Sequence, residues 1–222
     1  MRPELSHIRN WIFDLDNTLY PASANLFDLI DARIGAYVER LLNLDSVEAR
    51  KVQKAYFHEH GTTLAGLMAE HGVDPRDYLD DVHDVDMAVL EQNEALVGAL
   101  ARLPGRKLIF TNGDVAYAGR VLDRLGLAQT FEAIHDIHAT AYRPKPDPLA
   151  YAGLCEAFDI VPHESLFVED MARNLKPAKA IGMTTVWIDN GSEQGPGEDR
   201  DFIDYTITDL GQWLHDMLED KA

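Results

Sequence analysis

Two carboxylates close a short apolar run near the beginning of the chain. The stretch "WIFDLDNTLYP" (11–21) leads from three large apolar side chains into Asp14 and, two residues later, Asp16. Two negative charges this close repel each other unless a cation lies between them or one carboxyl stays protonated. Alone, such a pair is also common at turns and helix caps. Beside further polar groups, it favours a site whose oxygen atoms hold a hard cation such as Mg²⁺.

Further polar groups end two other apolar runs. "KLIF" is followed by Thr111, Asn112 and a glycine, and "SLFV" is followed by Glu169 and Asp170. Ligands of an open α/β sheet bind at the carboxyl ends of its strands. We therefore expect these groups to converge with the first two carboxylates on one crevice.

The same crevice contains groups that suit an anion. Thr111 and the backbone amides of residues 112–114 precede a predicted helix, and amides at a helix N-terminus bind phosphate. Lys145 lies in "RPKPDP", an extended lead-in to the next helix that brings its ammonium to the same place. A threonine and a lysine are ordinary surface residues when considered singly. Their positions, rather than their types, predict a phosphate site beside the cation site.

The elements that must position these residues follow a simple pattern. Short and mostly apolar runs predict strands at 11–15, 107–111, 165–170 and 184–189, with weaker ones at 131–137 and 205–208. Amphipathic or capped segments between them predict helices at 114–125, 147–158 and 171–181. Nearly continuous apolar strands are typical of parallel sheets covered on both faces. The alternation predicts an α/β fold with a doubly wound, Rossmann-like parallel sheet.

The segment after the first strand breaks this alternation. Apolar positions there recur every three or four residues, which is the helical period. One predicted helix runs to His60 with Ser46 as its cap. The connection is far longer than an ordinary strand-to-helix loop. We therefore predict a helical cap domain at 21–103, inserted into a core domain formed by 1–20 and 104–222.

In their order along the chain, the polar motifs resemble the four signature motifs of the haloacid dehalogenase-like (HAD) superfamily. These motifs are "DLDNTL" (14–19), "IFTNGD" (109–114), "YRPKPDP" (142–148) and "FVEDMARN" (167–174). The helical insertion after the first motif resembles the first cap type of the superfamily. Four motifs in order are a much more specific signal than any one of them.

The resemblance implies a catalytic division of labour between the first two acids. Asp14 would attack phosphorus and form an aspartyl-phosphate. Asp16 would protonate the leaving oxygen and then activate the water that cleaves the intermediate. Mg²⁺ would be held by Asp14, the backbone carbonyl of Asp16, and Asp170.

The resemblance also implies how the phosphoryl oxygens are held. Thr111, the amide of Asn112 and Lys145 would bind them, with the stronger effect in the transition state. The fourth motif reads Glu-Asp where many relatives have Gly-Asp or Asp-Asp. Glu169 is therefore left as a direct or a water-mediated metal ligand. Asn174 is expected either to orient Asp170 or to be an ordinary helix residue.

The substrate is predicted from a finer resemblance. "DLDNTLYP" together with the later "HGTTLAGLM" resembles the pyrimidine 5′-nucleotidase branch, which implies UMP or CMP as substrate. Candidate cap contacts to the leaving group are Asn25, Tyr56, His60, Thr62 and Thr63. Sugar phosphates or phosphoglycolate are the alternative substrates, and a phosphomutase uses the same motifs. A 2-haloacid dehalogenase, which needs neither Asp16 nor Mg²⁺, and a non-catalytic binding protein are the remaining alternatives.

Composition limits the possible partners. The chain has 222 residues, with 20 Lys and Arg against 38 Asp and Glu, and a net charge of −18. This balance disfavours a nucleic-acid polymer as partner, but not a small anion bound beside a metal. A single cysteine, Cys155, allows no intrachain disulfide. The absence of a long apolar run predicts no membrane partner and a cytoplasmic location, and the oligomeric state stays open.

Overall fold

A six-stranded, fully parallel sheet forms the centre of the molecule. The computed structural model describes residues 2–191 and 195–219. The strands lie in the order β3-β2-β1-β4-β5-β6. Their bounds are β1 Asn10–Phe13, β2 Arg106–Phe110, β3 Ala133–His135, β4 Ser165–Glu169, β5 Thr184–Ile188 and β6 Tyr205–Ile207. This strand order is the doubly wound arrangement, so the predicted fold class is confirmed.

The register of the sheet places the polar motifs together. Phe13 on β1 pairs with Ile109 on β2 and with Val168 on β4. The next residue of each strand or connection therefore lies at the same edge of the sheet. The chain winds outward in opposite directions from β1, and the crevice at such a reversal is where ligands bind.

Helices cover both faces of the sheet. Their bounds are α5 Glu94–Arg102, α6 Val115–Arg124, α7 Pro148–Phe158, α8 Ala172–Ala180 and α9 Leu210–Glu219. Successive strand residues point to opposite faces, so Trp11 and Phe13 pack in the cluster with α5, α6 and α9. Ile12 packs with α7 and α8 on the other face. Pro177 lies inside α8 without ending the helix.

Four helices between β1 and α5 form a separate bundle. They are α1 Leu26–Leu42, α2 Ser46–His60, α3 Thr63–His71 and α4 Pro75–Val82. Their own small apolar core contains Val38, Leu67 and Leu79. The prediction that Ser46 caps α2 is wrong by one residue. The side chain of Asp45 accepts the amides of residues 47 and 48, because its carboxylate reaches the free N–H groups of the first turn.

The end of the predicted cap range packs on the core. In α5, Leu96 and Leu100 belong to the apolar cluster beneath the sheet, and the helix lies against α9. The four-helix bundle therefore ends near Val82, whereas the division at 21–103 remains a prediction. None of the helices in the described ranges is both long and apolar enough to cross a membrane.

Candidate active site

Three of the predicted site residues follow neighbouring strands at one edge of the sheet. Asp14 follows β1, and its amide donates to the carbonyl of Val168 on β4 at 3.0 Å. Thr111 follows β2, and its amide donates to the carbonyl of His135 on β3 at 3.1 Å. Glu169 is the last residue of β4. Backbone pairing thus continues past the strands and fixes where these side chains begin.

Lys145 is the centre of the site. Its ammonium donates to Asp14 Oδ1 at 2.7 Å, to Glu169 Oε2 at 2.7 Å and to the carbonyl of Phe110 at 2.8 Å. The side chain is only 2% exposed, and its Nζ also lies 5.3 Å from the ring centre of Phe167. Burial lowers the pKa of Lys145, but the two carboxylates outweigh it and raise that pKa, which keeps the ammonium charged.

The side chain of Asn112 holds the backbone of the lysine. Asn112 Oδ1 accepts the amide of Lys145 at 2.8 Å, and its Nδ2 donates to the carbonyl of Lys145 at 3.2 Å. This pair of bonds joins the end of β2 to the loop before α7. Sequence reasoning assigned only the backbone amide of Asn112 to the site and missed this role of its side chain.

Thr111 is buried beside a tight turn. Its hydroxyl accepts the amide of Gly113 at 2.9 Å, so that amide is already used within the turn. Within residues 2–191 and 195–219, the amide of Asn112 has no hydrogen-bond partner. The turn therefore offers one amide and the Thr111 hydroxyl to an anion at the edge of the sheet.

Three buried carboxylates form a cluster beside the lysine. One oxygen from each of Asp14, Glu169 and Asp170 lies within 4.8 Å of the others. Burial, followed by repulsion from Glu169, raises the pKa of Asp14 to about 7 and that of Asp170 to about 9. A single ammonium does not balance three buried negative charges. The donor set, all carboxylate oxygen, fits a hard divalent cation such as Mg²⁺.

The two acids of the fourth motif have different partners. Glu169 Oε2 accepts from Asn174 Nδ2 at 3.1 Å in addition to the lysine, and its Oε1 accepts the amide of Met171 at 3.1 Å. Asn174 thus contacts Glu169 rather than Asp170. Asp170 Oδ2 accepts from Asn190 Nδ2 at 3.0 Å. Glu169 is therefore engaged in holding the lysine, whereas Asp170 keeps one oxygen toward the cluster.

Asp16 lies outside the acidic cluster and is held by two phenols. Its Oδ1 accepts from Tyr20 at 2.6 Å and from Tyr117 at 2.5 Å. The carboxylate is only partly buried, in contrast to the fully buried Asp14. The two acids of "DLD" thus have separate surroundings, as expected if they have separate tasks.

Comparison with known proteins agrees with this geometry. A family model described as haloacid dehalogenase-like hydrolase matches residues 8–182, a range that includes every side chain of the core site named above except Asn190. The chain belongs to the haloacid dehalogenase-like hydrolase family.

Individual relatives of this HAD-like hydrolase are distant but cover its length. It is 28% identical over 232 residues to the glyceraldehyde 3-phosphate phosphatase of Methanopyrus kandleri, covering 97% of this chain and 99% of that one. The crystal structure of a HAD phosphatase from Thermococcus onnurineus has a TM-score of 0.64 at 19% identity, over 96% of this chain and 98% of that chain. The crystal structure of the L-2-haloacid dehalogenase RSc1362 has a TM-score of 0.61 at 22% identity, over 95% of this chain and 99% of that chain. These two structures show the shared fold alone.

The cap residues predicted for this HAD-like hydrolase have mostly local partners. The hydroxyl of Tyr56 lies 2.8 Å from His71 Nε2. The hydroxyl of Thr62 accepts the amide of Ala65 in the first turn of α3, and the hydroxyl of Thr63 donates to the carbonyl of Gln53 at 3.3 Å. Asn25 ends a short 3₁₀ turn just before α1 in a left-handed conformation, and the ring of His60 packs edge-on against that of Tyr56 at 5.8 Å. None of these contacts reaches a core motif, so their role in specificity remains a prediction.

One loop of the cap does contact the core beside the site. Gly61, between α2 and α3, accepts a hydrogen bond at its carbonyl from Arg173 of α8 at 3.0 Å. The Arg173 guanidinium also lies 4.2 Å from the ring centre of Phe57. A Cβ on Gly61 would approach Pro144 to 3.3 Å and the carbonyl oxygen of Lys145 to 3.8 Å. The loop 60–62 therefore lies beside the loop that carries the lysine.

Sequence reasoning missed several residues of the site. Tyr20 and Tyr117 contact Asp16, Asn190 contacts Asp170, and Arg173 contacts the cap. Tyr20 lies only four residues after Asp16, a spacing that one turn of chain can bridge. The other three are distant in sequence from their partners and gave no comparable signal.

Proposed function

We propose that this HAD-like hydrolase is a Mg²⁺-dependent phosphomonoesterase that works through an aspartyl-phosphate. The observation that carries the proposal is the contact of Lys145 with Asp14 inside a buried acidic cluster, with Asp16 held separately two residues later. A buried nucleophile beside a fixed ammonium suits attack on an anionic phosphate. A separate, partly exposed acid suits proton transfer.

The reaction has two displacements. An oxygen of Asp14 attacks phosphorus, the bond from phosphorus to the leaving oxygen breaks, and Asp16 gives its proton to that oxygen. Asp16 then takes a proton from water as the water attacks phosphorus, which breaks the bond to Asp14 and releases phosphate. The Thr111 hydroxyl and the amide of Asn112 hold the phosphoryl oxygens. The charge of the Lys145 ammonium, whose three N–H groups donate to Asp14, Glu169 and Phe110, offsets the negative charge beside them.

The acidic cluster supports magnesium as the cofactor. Asp14, Asp170 and the backbone carbonyl of Asp16 would hold Mg²⁺, and Glu169 would keep the lysine in place. When bound, the ion offsets the negative charges of the cluster and of the phosphate.

The substrate is a small phosphorylated metabolite. The full-length relative from Methanopyrus kandleri is named for glyceraldehyde 3-phosphate, which supports a triose phosphate as the first substrate to test. The resemblance of "DLDNTLYP" and "HGTTLAGLM" supports UMP and CMP as the second. Both classes present the same phosphomonoester to the core, so the cap must distinguish them.

A turnover panel tests the proposal. Phosphate release is measured with glyceraldehyde 3-phosphate, phosphoglycolate, UMP, CMP and p-nitrophenyl phosphate, with Mg²⁺ or with EDTA, and halide release is measured with chloroacetate. We expect Mg²⁺-dependent phosphate release that is lost in Asp14→Asn. Halide release without phosphate release would identify a dehalogenase. Isomerisation of a sugar phosphate without release of phosphate would identify a mutase.

A further inference from the structure

The carboxylate of Asp16 is anchored through one oxygen. Tyr20 and Tyr117 both donate to Oδ1, at 2.6 and 2.5 Å. Both tyrosines are almost fully buried, at 3% and 1% exposure. Within the ranges 2–191 and 195–219, no group donates to Asp16 Oδ2. The two phenols thus fix the rotation of the carboxylate and leave its second oxygen available for a proton.

Tyr117 is itself held by the last turn of the helical bundle. Its ring stacks on the imidazole of His83, with ring centres 4.2 Å apart and planes 17° apart. His83 Nδ1 lies 2.5 Å from Asp114 Oδ2, and Asp114 Oδ1 accepts the amide of Tyr117 at 2.8 Å. His83 directly follows α4, where the chain leaves the cap for the core. The chain of contacts therefore runs from the exit of the cap to Asp16.

We propose that Tyr20 and Tyr117 are positioning residues for Asp16, and that His83 with Asp114 sets the position of Tyr117. This inference rests on the proposed function, because it assigns Asp16 the proton transfer of a phosphomonoesterase. A buried phenol needs a hydrogen-bond acceptor, but any nearby carbonyl would satisfy it. Here both phenols converge on the carboxylate to which the proposed function assigns the proton transfer.

The leaving group decides how much this positioning matters. An alkoxide leaving from phosphorus needs a proton in the transition state, whereas p-nitrophenolate is stable enough to leave without one. Misplacing Asp16 should therefore slow the cleavage of alkyl phosphates far more than that of p-nitrophenyl phosphate. A purely structural role of the tyrosines would slow both substrates equally.

The test measures kcat/KM, which reports the step in which the leaving group departs, for glyceraldehyde 3-phosphate and for p-nitrophenyl phosphate. For Tyr117→Phe and Tyr20→Phe we expect a fall of about 10- to 100-fold on the alkyl phosphate and below about 3-fold on the aryl phosphate. His83→Phe, which keeps the stacking but loses the contact with Asp114, should give a smaller effect of the same kind. If glyceraldehyde 3-phosphate is not turned over, the alkyl phosphate of the panel with the highest kcat/KM takes its place.

The matched control is Tyr78→Phe. Tyr78 is a tyrosine of the cap with 3% exposure, and it packs against Tyr37 in a different apolar cluster from the one that contains Tyr20 and Tyr117. It loses a buried hydroxyl as the other variants do, and both kcat/KM values should stay at wild type. In an Asp16→Asn background, Tyr117→Phe should have no further effect, because coupled residues are not additive.

The outcomes separate this inference from the proposed function. Equal losses on both substrates, no loss in either tyrosine variant, or full additivity with Asp16→Asn would overturn the positioning role while the enzyme remains a phosphatase. A wild-type chain that hydrolyses no phosphomonoester overturns both. If Tyr117→Phe fails to fold, as judged by circular dichroism, Tyr20→Phe decides the question from the other donor.

Discussion

The core side and the cap side of this site differ in what their polar side chains contact. In the core, Lys145 donates to two carboxylates and a carbonyl, and each of those acceptors belongs to another strand end. In the cap, the side chains of Thr62 and Tyr56 form hydrogen bonds with residues of the cap itself. The groups around Lys145 are thus held from several strand ends at once. The hydrogen bonds of these cap side chains instead stabilise the cap itself.

This difference has a consequence for mutation. A change in the core removes a group with several buried partners, whereas a change in the cap removes one local hydrogen bond. Activity losses should therefore be large and independent of the substrate for the core groups around Lys145, but small and substrate-dependent in the cap.

The largest effect is expected at the nucleophile. Asp14→Asn should lower kcat by at least about 10⁴-fold for every substrate, because the amide cannot form the covalent intermediate. Circular dichroism should show an unchanged fold, since the amide keeps an acceptor for Lys145 and removes one buried charge from the acidic cluster. Trapping of ³²P on the wild-type chain and not on the variant checks the role directly. Activity within tenfold of wild type would remove Asp14 from this role.

The next effect tests the support of the lysine. Asn112→Ala removes both bonds that fix the backbone of Lys145. We expect kcat/KM to fall about 10- to 100-fold on all substrates, which is the cost of displacing a positioned group by a fraction of a molecular diameter. Asn93→Ala is the control: it removes the N-cap of α5, far from the site, and should leave kcat/KM unchanged. A substrate-selective loss in Asn112→Ala would contradict the comparison.

The residues whose substitution should have the largest effects were also the ones that the sequence predicted. Strand ends were visible in the sequence because apolar runs such as "WIF" and "KLIF" stop at polar residues, and parallel pairing brings the ends together. Asp14, Thr111 and Glu169 followed from that rule. Asn190 and Tyr117 did not, because their contacts depend on how loops and helices pack across more than one element. The loop 60–62 contains His60 and Thr62, which the sequence predicted as cap contacts. Its contact with Arg173 could not be predicted, because it depends on how the helical bundle packs against α8.

Metal binding should act on stability as well as on activity. Burial and repulsion raise the pKa of Asp14 to about 7 and that of Asp170 to about 9, above their ordinary value of 3.8. The folded protein then binds these protons more tightly than the unfolded chain. Without metal, its stability is therefore greatest below about pH 4 as far as these two groups are concerned, and falls as the pH rises toward 9.

Bound Mg²⁺ would take the place of those protons, so its effect on stability should grow with pH. At about 100 times its Kd, it should stabilise the fold by ~2.7 kcal/mol, or roughly 5–10 °C in Tm. Thermal unfolding with Mg²⁺ and with EDTA at pH 5.5 and 8.5 measures the difference. Asp170→Asn is the control, and its Tm should depend much less on Mg²⁺. If the Tm of the wild type at pH 8.5 is the same with Mg²⁺ as with EDTA, the cluster is not a metal site.

The smallest effect is expected in the cap loop. The hydroxyl of Thr62 accepts the amide of Ala65 at 3.1 Å and so begins α3. Thr62→Ala should cost about 1 kcal/mol of stability. It should also loosen the loop whose Gly61 carbonyl contacts Arg173. We expect KM for the preferred substrate to rise by up to about 5-fold, the equivalent of that free energy, while kcat for p-nitrophenyl phosphate stays near wild type.

Asp74→Ala separates the loop from the stability of the cap. Asp74 caps α4 in the same way but lies away from the loop 60–62. It should cost a similar free energy and leave KM unchanged. If both variants raise KM equally, cap stability rather than the loop controls substrate binding. If Thr62→Ala alone changes the ratio of the kcat/KM values for glyceraldehyde 3-phosphate and UMP, the loop that contacts Arg173 takes part in the choice of substrate.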